Sequence, residues 1–185
     1  PSEISHMSSF SIQGGKQLSG EVVPQGAKNE ALQILCAVLL TPKPVTISNL
    51  PDIVDVNKLI DLLASMGVKT QRKGPGVCRF QADDVNLDYF KSEEFSQKGG
   101  ALRGSTMVLG PLLARFGKGA VPSPGGDKIG RRRMDTHFIG FEALGATFTY
   151  HSKSGFFEAS SGDGLRGTDM LLDEASVTGT ANIVM

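Results

Sequence analysis

Tryptophan is absent from this sequence of 185 residues, and cysteine is scarce. The two cysteines, Cys36 and Cys78, lie inside apolar runs, which predicts buried free thiols rather than a disulfide framework or a zinc site. Charge of either sign is not in excess: basic and acidic residues both number 19, so net charge gives no reason to expect a nucleic acid or an acidic membrane as partner.

Long apolar runs are missing too, because none approaches the ~20 residues that span a bilayer. The first residues lack signal-peptide architecture, so we expect a cytoplasmic protein without membrane association. His6-Met7 is typical of a cloning junction, and residues 1–6 are predicted to be a cloning remnant. Residues 180–185 are typical of the first turns of a buried helix, so we expect a piece of a longer chain.

Glycine is abundant, with 23 residues, and much of it separates the elements of an internal repeat. The first unit, about 20–82, predicts an apolar helix over 29–40, a strand over 45–48, an amphipathic helix over 54–66, and a hairpin of 68–72 with 77–81. The second unit, about 99–160, predicts helices over 104–116 and 134–144 and a hairpin of 147–150 with 156–159. A third unit begins near residue 165.

The two kinds of element differ in their apolar pattern. The first helix of each unit is apolar nearly all round, which predicts complete burial. The hairpins alternate apolar and polar residues, so one face of each sheet should meet solvent. Buried helices surrounded by half-exposed sheets are the reverse of a doubly wound fold.

Two cations begin the apolar helices of the repeat. Lys28 lies in the motif GAKN at 26–29, and Arg103 precedes Gly104 at the equivalent place in the second unit. A lysine beside the free N–H groups of a helix start makes a good anion site, and the two cations could converge on one anion. The alternative is two unrelated, solvated surface cations.

A glycine-rich stretch over 117–130 suits a mobile loop that covers a ligand. It carries an acid, Asp127, flanked by Lys128 and by arginines at 131–133. A solvated patch is the alternative for the arginine run. His137 follows on the next predicted helix, where a lone histidine is more often structural than catalytic.

These motifs, in this order, resemble the UDP-N-acetylglucosamine 1-carboxyvinyltransferases, a family of enolpyruvyl transferases. GAKN at 26–29 is similar to the N-terminal signature, and LGPLLARFG at 109–117, PGGD at 124–127 and IGRRRMDTH at 129–137 are similar to the central one. Ser176-Val177 is similar to the third. The resemblance covers residues 10–185 and corresponds to an N-terminal portion.

The resemblance implies an α/β fold, an inside-out α/β barrel of repeated βαβαββ units, with two domains joined by a hinge. Residues 7–26 would pack with a C-terminal domain that this sequence does not contain. Residues 27–185 would form the N-terminal domain that carries the phosphoenolpyruvate loop, with its third repeat incomplete.

The resemblance also implies a reaction: transfer of the enolpyruvyl group of phosphoenolpyruvate (PEP) to the 3′-hydroxyl of UDP-N-acetylglucosamine, with release of phosphate, at the start of peptidoglycan synthesis. No metal or organic cofactor is expected. Protonation of C3 makes C2 of PEP electrophilic, which requires a general acid, and cations must hold the anions. Because a catalytic carboxylate and another PEP-binding arginine come from the C-terminal domain, we expect this sequence alone to be inactive.

The expected site residues fall on the motifs. Asp127 stands where the family usually has a catalytic cysteine and is the expected proton donor. The substrate-binding residues are then Lys28 and Asn29 for PEP and the sugar, Arg103 and Arg132 for phosphate, Arg133, Met134, Asp135 and Thr136 for uridine, and Ser176 and Val177 for the diphosphate.

The sequence departs from the family at two places. With Asp127 in place of cysteine, the neighbouring cations would lower the pKa of its carboxyl while bound PEP and loop closure would raise it, so we expect protonation only in the substrate complex. Resistance to fosfomycin, which alkylates the cysteine, should follow. Glu174 stands where many members have a lysine near the diphosphate.

Two alternatives remain from the sequence. One is the sibling transferase that acts on shikimate 3-phosphate, which the PGGD loop and the RRRMD segment do not resemble. The other is a non-catalytic module that binds a sugar nucleotide. A relative that processes RNA ends is disfavoured by the neutral charge and the lack of aromatic platforms.

Overall fold

The structure is a computed structural model that describes residues 10–100, 102–122, 135–152 and 155–185. Within these ranges the predicted repeat is present, and the mixed α/β fold class is confirmed. Residues 10–27, which precede the first helix, hold no strand and are almost entirely exposed. The described part of each unit therefore follows the order helix, strand, helix, hairpin.

The first unit follows its predicted boundaries closely. It consists of α1 (Lys28–Ala37) with a 3-10 turn (Val38–Leu40), β1 (Val45–Ile47), α2 (Val54–Ser65), β2 (Lys69–Gly74) and β3 (Val77–Gln81). Gly67 ends α2 with a φ of 96°, and a Cβ there would overlap the carbonyl oxygen of Asp84. Glycine is required at this position both for the left-handed conformation and for the close approach.

The second unit repeats that order. It consists of a 3-10 helix (Arg103–Val108), α4 (Leu109–Phe116), β4 (Lys118–Pro122), α5 (Asp135–Ala143), β5 (Thr147–His151) and β6 (Phe156–Ser160). A 3-10 helix (Leu87–Lys91) and α3 (Glu93–Gly100) connect the two units, and α6 (Val177–Val184) follows the second.

The two sheets have the same topology. In each, the first strand of the unit pairs with the last, giving the orders β1-β3-β2 and β4-β6-β5, with every pairing antiparallel. Every residue of β2 is exposed, whereas β3 alternates and buries Cys78 and Phe80. The described helices thus form the interior and the sheets its cover, as the apolar patterns predicted. The core is centred on side chains that exclude solvent almost completely: Leu35, Leu39, Leu59, Leu62, Leu63, Leu109, Leu112 and Leu113.

Two expectations for the apolar helices were wrong in detail. The predicted helix over 104–116 is divided into a 3-10 helix and α4, because Pro111 has no N–H to donate to the preceding turn. Complete burial of α1 was also wrong, because Ile34 remains 40% exposed while Leu32 and Leu35 are buried.

The glycine-rich stretch was a further partial error. Its first part, Lys118–Pro122, is a strand, and four of its five residues are buried. Pairing with β6 supplies hydrogen-bond partners along one edge of this strand, which a glycine-rich composition does not reveal. The connecting helix α3 was not predicted, since its apolar content is low and only Phe95 and Gly99 are buried.

Candidate functional site

Lys28 and Asn29 open α1, and the structure gives the helix start few partners. Ala27 at the N-cap provides no side-chain hydrogen bond, so the first N–H groups of α1 remain available. The Nζ of Lys28 forms an ion pair with Asp55 Oδ2, and both side chains are partly exposed. The candidate cation is therefore held against the first turn of α2, where Asp55 lies.

The approach of the chain to Lys28 is fixed by a tight turn. A Cβ at Gly26 would overlap the carbonyl oxygen of Asn49, so only glycine fits there. Asn49 has a φ of 58°, and the next N–H, of Leu50, donates to the carbonyl of Gly76 at 2.9 Å. The first unit's hairpin thus positions the GAKN motif.

The helix start that carries the second predicted cation packs beside α1. Arg103 is the first residue of its 3-10 helix, and a Cβ at the next residue, Gly104, would be 3.4 Å from Leu32 Cδ1. Leu32 is about one turn further along α1 than Lys28. The two helix starts are therefore neighbours, while convergence of the two side chains on one anion stays a prediction.

Thr136 and Ser176 are brought together where α5 and α6 begin. Thr136 is fully buried, and its hydroxyl lies 2.9 Å from Asp173 Oδ1 and 3.3 Å from Glu174 Oε1. Ser176 caps α6, with its Oγ accepting a hydrogen bond from the N–H of Gly179 at 3.0 Å. A Cβ at Gly179 would be 3.2 Å from Thr136 Cγ2, so these two helix starts are in direct contact.

The electrostatics at this second pair of helix starts are mixed. The N-terminus of α6 favours anions, but two carboxylates precede it. Glu174 is exposed and Val177 is 76% exposed, whereas Thr136 is inaccessible. A diphosphate placed here would meet helix N–H groups and the adjacent negative charge of Glu174, which stands in place of the lysine of many family members.

His137, which follows Thr136 in α5, is also buried. Its Nδ1 lies 3.0 Å from the Nδ2 of Asn182, which is itself fully buried. Burial lowers the pKa of the imidazole, and the negative charge of Glu174 raises it by a smaller amount. A neutral, hydrogen-bonded and buried ring agrees with the structural role expected for a lone histidine.

Comparison with known proteins places this arrangement in a family. Residues 12–185 match the family described as EPSP synthase (3-phosphoshikimate 1-carboxyvinyltransferase). The chain belongs to the EPSP synthase family. Two solved structures share its fold. The enolpyruvyl transferase NikO from Streptomyces tendae aligns with a TM-score of 0.59 and 22% identity, over 80% of this chain and 31% of NikO. EPSP synthase from Acinetobacter baumannii aligns with a TM-score of 0.64 and 14% identity, over 89% of this chain and 37% of that enzyme.

Within the EPSP synthase family, the chain is most informatively compared with proteins named UDP-N-acetylglucosamine 1-carboxyvinyltransferase. That of Porphyromonas gingivalis is 60% identical over 179 residues, and one from Bacteroides fragilis is 58% identical over the same length. Each alignment covers 97% of this chain and 41% of the relative. The resemblance inferred from the motifs is confirmed, and the chain spans about two fifths of the length of these relatives.

Four predicted site residues, Asp127, Arg132, Arg133 and Met134, lie outside the described residues, and the side chain of Arg103 is likewise not described. Their roles stay predictions, as do those of the described residues. Asp135 is exposed at the start of α5. In the described part of the chain, no three metal-ligating side chains come together, and no helix has the length and apolar character needed to cross a membrane.

Sequence reasoning missed two residues that organise the site. Asp55 is the acid in the first turn of α2, and nothing in the sequence pairs it with Lys28. Asn182 is a polar residue inside the apolar run of α6, and that contrast is a signal that could have indicated a buried hydrogen-bonding role.

Proposed function

We propose that the complete protein containing this chain transfers the enolpyruvyl group of PEP to the 3′-hydroxyl of UDP-N-acetylglucosamine and releases phosphate. The observation that carries the proposal is the identity of 56–60% over 97% of the chain to four relatives named for that activity. With it we propose a cytoplasmic location and a role in cell-wall synthesis.

The chemistry requires one proton donor and an anion-binding surface. A general acid protonates C3 of PEP, and the sugar oxygen forms a bond to the resulting electrophilic C2 while its hydroxyl proton goes to a base. Loss of a proton from C3 and departure of phosphate then restore the double bond. We assign the proton donor to Asp127 and the base to the part of the protein beyond this chain.

Lys28 and Arg103 are proposed to hold the anionic groups at the first pair of helix starts. The adjacency of the two helix starts supports this assignment, because it places two sets of free N–H groups near each other. Asn29 is exposed beside Lys28 and is proposed to contact the substrates. Arg132 is proposed as a further phosphate cation.

The second pair of helix starts is proposed to receive the sugar nucleotide. Arg133, Met134, Asp135 and Thr136 would line the uridine, and Ser176 with Val177 would meet the diphosphate. The contact of Thr136 with Gly179 supports a common site. Since Thr136 is buried, its proposed contribution is through its backbone and its hold on the segment at 173–174 rather than through an exposed hydroxyl.

The domain arrangement predicted from the sequence is also part of the proposal. Residues 10–23 expose a series of large apolar side chains: Phe10 (94% exposed), Ile12 (89%), Leu18 (92%), Val22 (89%) and Val23 (78%). Such a series is unfavourable in water unless another surface covers it. We propose that residues 7–26 pack on the C-terminal domain of the complete protein, that residues 27–185 form the N-terminal domain, and that residues 1–6 are a cloning remnant.

Phosphate release by the complete protein tests the proposed activity. Release from PEP that requires UDP-N-acetylglucosamine and is lost in Asp127→Asn supports both the reaction and the acid. Release that requires shikimate 3-phosphate instead would identify the sibling reaction named in the family description. Sugar-nucleotide binding by calorimetry without any phosphate release would identify a non-catalytic module.

A further inference from the structure

Asn182 is a fully buried amide at the centre of a three-way hydrogen-bond network. Its Oδ1 accepts from the N–H of Gly110 at 2.9 Å, and its Nδ2 donates to the carbonyl of Thr106 at 3.0 Å. The same Nδ2 lies 3.0 Å from His137 Nδ1. Because Gly110 offers only a donor and Thr106 only an acceptor, the amide has one possible orientation. His137 Nδ1 must then accept, and the neutral ring carries its proton on Nε2.

The three partners belong to three different elements. Thr106 lies in the 3-10 helix that begins at Arg103, Gly110 in the first turn of α4, and His137 in α5, which begins at Asp135. An N–H in the first turn of a helix has no acceptor within that helix, so the amide of Asn182 supplies the missing partner of Gly110. One side chain therefore connects α6 to the elements that carry the other candidate binding residues.

Glycines allow α6 to lie directly on two of these elements. A Cβ at Gly110 would overlap the carbonyl oxygen of Asn182, and a Cβ at Gly140 of α5 would overlap Cδ1 of Ile183. Successive residues of α6 thus rest on α4 and α5. Any displacement of α6 would move its N-terminus at Ser176 relative to Thr136, which that helix contacts through Gly179.

We propose that Asn182 is a positioning residue that sets the relative placement of the helix starts at Arg103, Thr136 and Ser176 for binding of the sugar nucleotide. The inference deepens the proposed function and rests on it. Asn182 touches no proposed substrate atom. It acts through the N–H of Gly110, the carbonyl of Thr106 and the ring of His137.

Asn182→Ala in the complete protein is the first test. Removal of the amide leaves the N–H of Gly110 without its acceptor and takes one of two donors from the Thr106 carbonyl, which keeps the N–H of Leu109. The helix starts then lose their fixed spacing. We expect the KM for UDP-N-acetylglucosamine to rise about 10- to 100-fold, the range that small misplacements produce. We expect kcat at saturating substrate to change less than about threefold, because the lost interactions support ground state and transition state alike.

Ile183→Val is the matched control. It lies next to Asn182 on α6 and removes the methyl group that packs against Gly140, so it weakens helix packing without altering a hydrogen bond of the network. We expect its melting temperature to fall while its KM for the sugar nucleotide stays within about twofold of wild type. Equal KM values for Asn182→Ala and Ile183→Val would overturn the proposal.

Asn182→Asp is the second variant, with the same shape and one donor fewer. Its carboxylate still accepts from Gly110 but faces the Thr106 carbonyl and His137 Nδ1, both acceptors. One added proton, on the carboxyl or on His137, restores a donor between the two side chains. Among the described residues, the negative charge of Glu174 acts on His137 and favours that proton, while Gly110 and Thr106 contribute only backbone groups. We expect the variant's KM to rise with pH relative to that of wild type, and a constant ratio would contradict the proposal.

Hydrogen–deuterium exchange separates this proposal from the proposed activity. In Asn182→Ala, the amides at 106–110 and at 176–180 should exchange faster together, whereas in Ile183→Val they should not. Unchanged exchange at both segments overturns the positioning role whether or not the protein turns over substrate. An inactive wild-type protein with the expected exchange pattern would instead refute the activity and leave the coupling of the helices established.

Discussion

Arg115 connects the two repeats, and its removal should destabilise the protein by an amount that its contacts allow us to estimate. Its Nη1 donates to the carbonyl of Leu39 at 3.0 Å and to the carbonyl of Ala82 at 2.7 Å. Leu39 lies in the last turn of the first unit's apolar helix, and Ala82 directly follows β3. Its guanidinium also lies 4.7 Å from the centroid of the Phe116 ring.

The magnitude follows from these three contacts. A hydrogen bond from a charged donor contributes about 1.5–3 kcal/mol when buried, and Arg115 is only half-buried, so we take the lower end for each. Adding about 0.5 kcal/mol for a partly exposed cation–π contact gives about 3.5 kcal/mol for Arg115→Ala. For a domain of this size that corresponds to a fall in melting temperature of about 7–14 °C.

The assay is thermal unfolding of the complete protein, followed by circular dichroism, with Arg79→Ala as control. Arg79 is exposed on β3, so its loss should cost less than about 0.5 kcal/mol. Arg115→Lys should recover about half the loss, because one ammonium group does not reproduce the fork of a guanidinium. If Arg115→Ala and Arg79→Ala have the same melting temperature, the hydrogen bonds from Arg115 to the two carbonyls do not stabilise the fold, and the reasoning is refuted.

Four further predictions concern the site. Asp55→Asn should lower the KM for PEP about two- to fivefold, since the exposed pair that restrains Lys28 is worth about 0–1 kcal/mol, and a rise in KM would contradict this. Glu174→Lys should tighten UDP-N-acetylglucosamine binding about tenfold in calorimetry at low salt, with the gain shrinking as salt is added. Burial lowers the pKa of His137 in the folded protein, so the free energy of unfolding should decrease as pH falls below about 6.5, the pKa of histidine in the unfolded chain. Denaturant unfolding of His137→Gln should lack this pH dependence. Fosfomycin should form no covalent adduct with Asp127 in mass spectrometry, and the pH–rate profile should change in Asp127→Glu; an adduct or an unchanged profile would count against the assigned acid.

The regular parts of the fold were predictable because their patterns are local. The amphipathic period of α2, the alternation of β3 and the glycine at 67 each specify an element within a few residues of sequence. The repeat made the prediction stronger, since the same order of elements occurs twice. Both hairpins therefore appeared where the sequence placed them.

The errors arose where long-range contacts decide the structure. β4 is a strand because β6 supplies its hydrogen-bond partners about 40 residues later, and a glycine-rich sequence contains no trace of that pairing. The division of the second apolar helix between Val108 and Leu109 was visible in principle from Pro111, but the apolar run outweighed the single proline in our prediction.

In the candidate site, too, local motifs were predictable and long-range contacts were not. Motif order alone placed Lys28, Arg103, Thr136 and Ser176 in one family-like set, and it could say nothing about what holds them. The ion pair of Lys28 joins two helices, and the network of Asn182 joins residues separated by 45 to 76 positions. Such pairings depend on tertiary packing, which no local pattern specifies.

The location of these residues in the fold supports the proposed binding of anions. Each of the four lies at a helix start, either in the first turn or at the residue before it, where backbone N–H groups have no partner within the helix. A phosphate or carboxylate bound there gains hydrogen bonds and the favourable end of the helix dipole before any side chain contributes. Binding of the two proposed polyanionic substrates then requires that the helix starts keep their spacing. In the positioning role that we propose, the buried, uncharged amide of Asn182 serves the site by keeping that spacing, while Lys28 contributes charge.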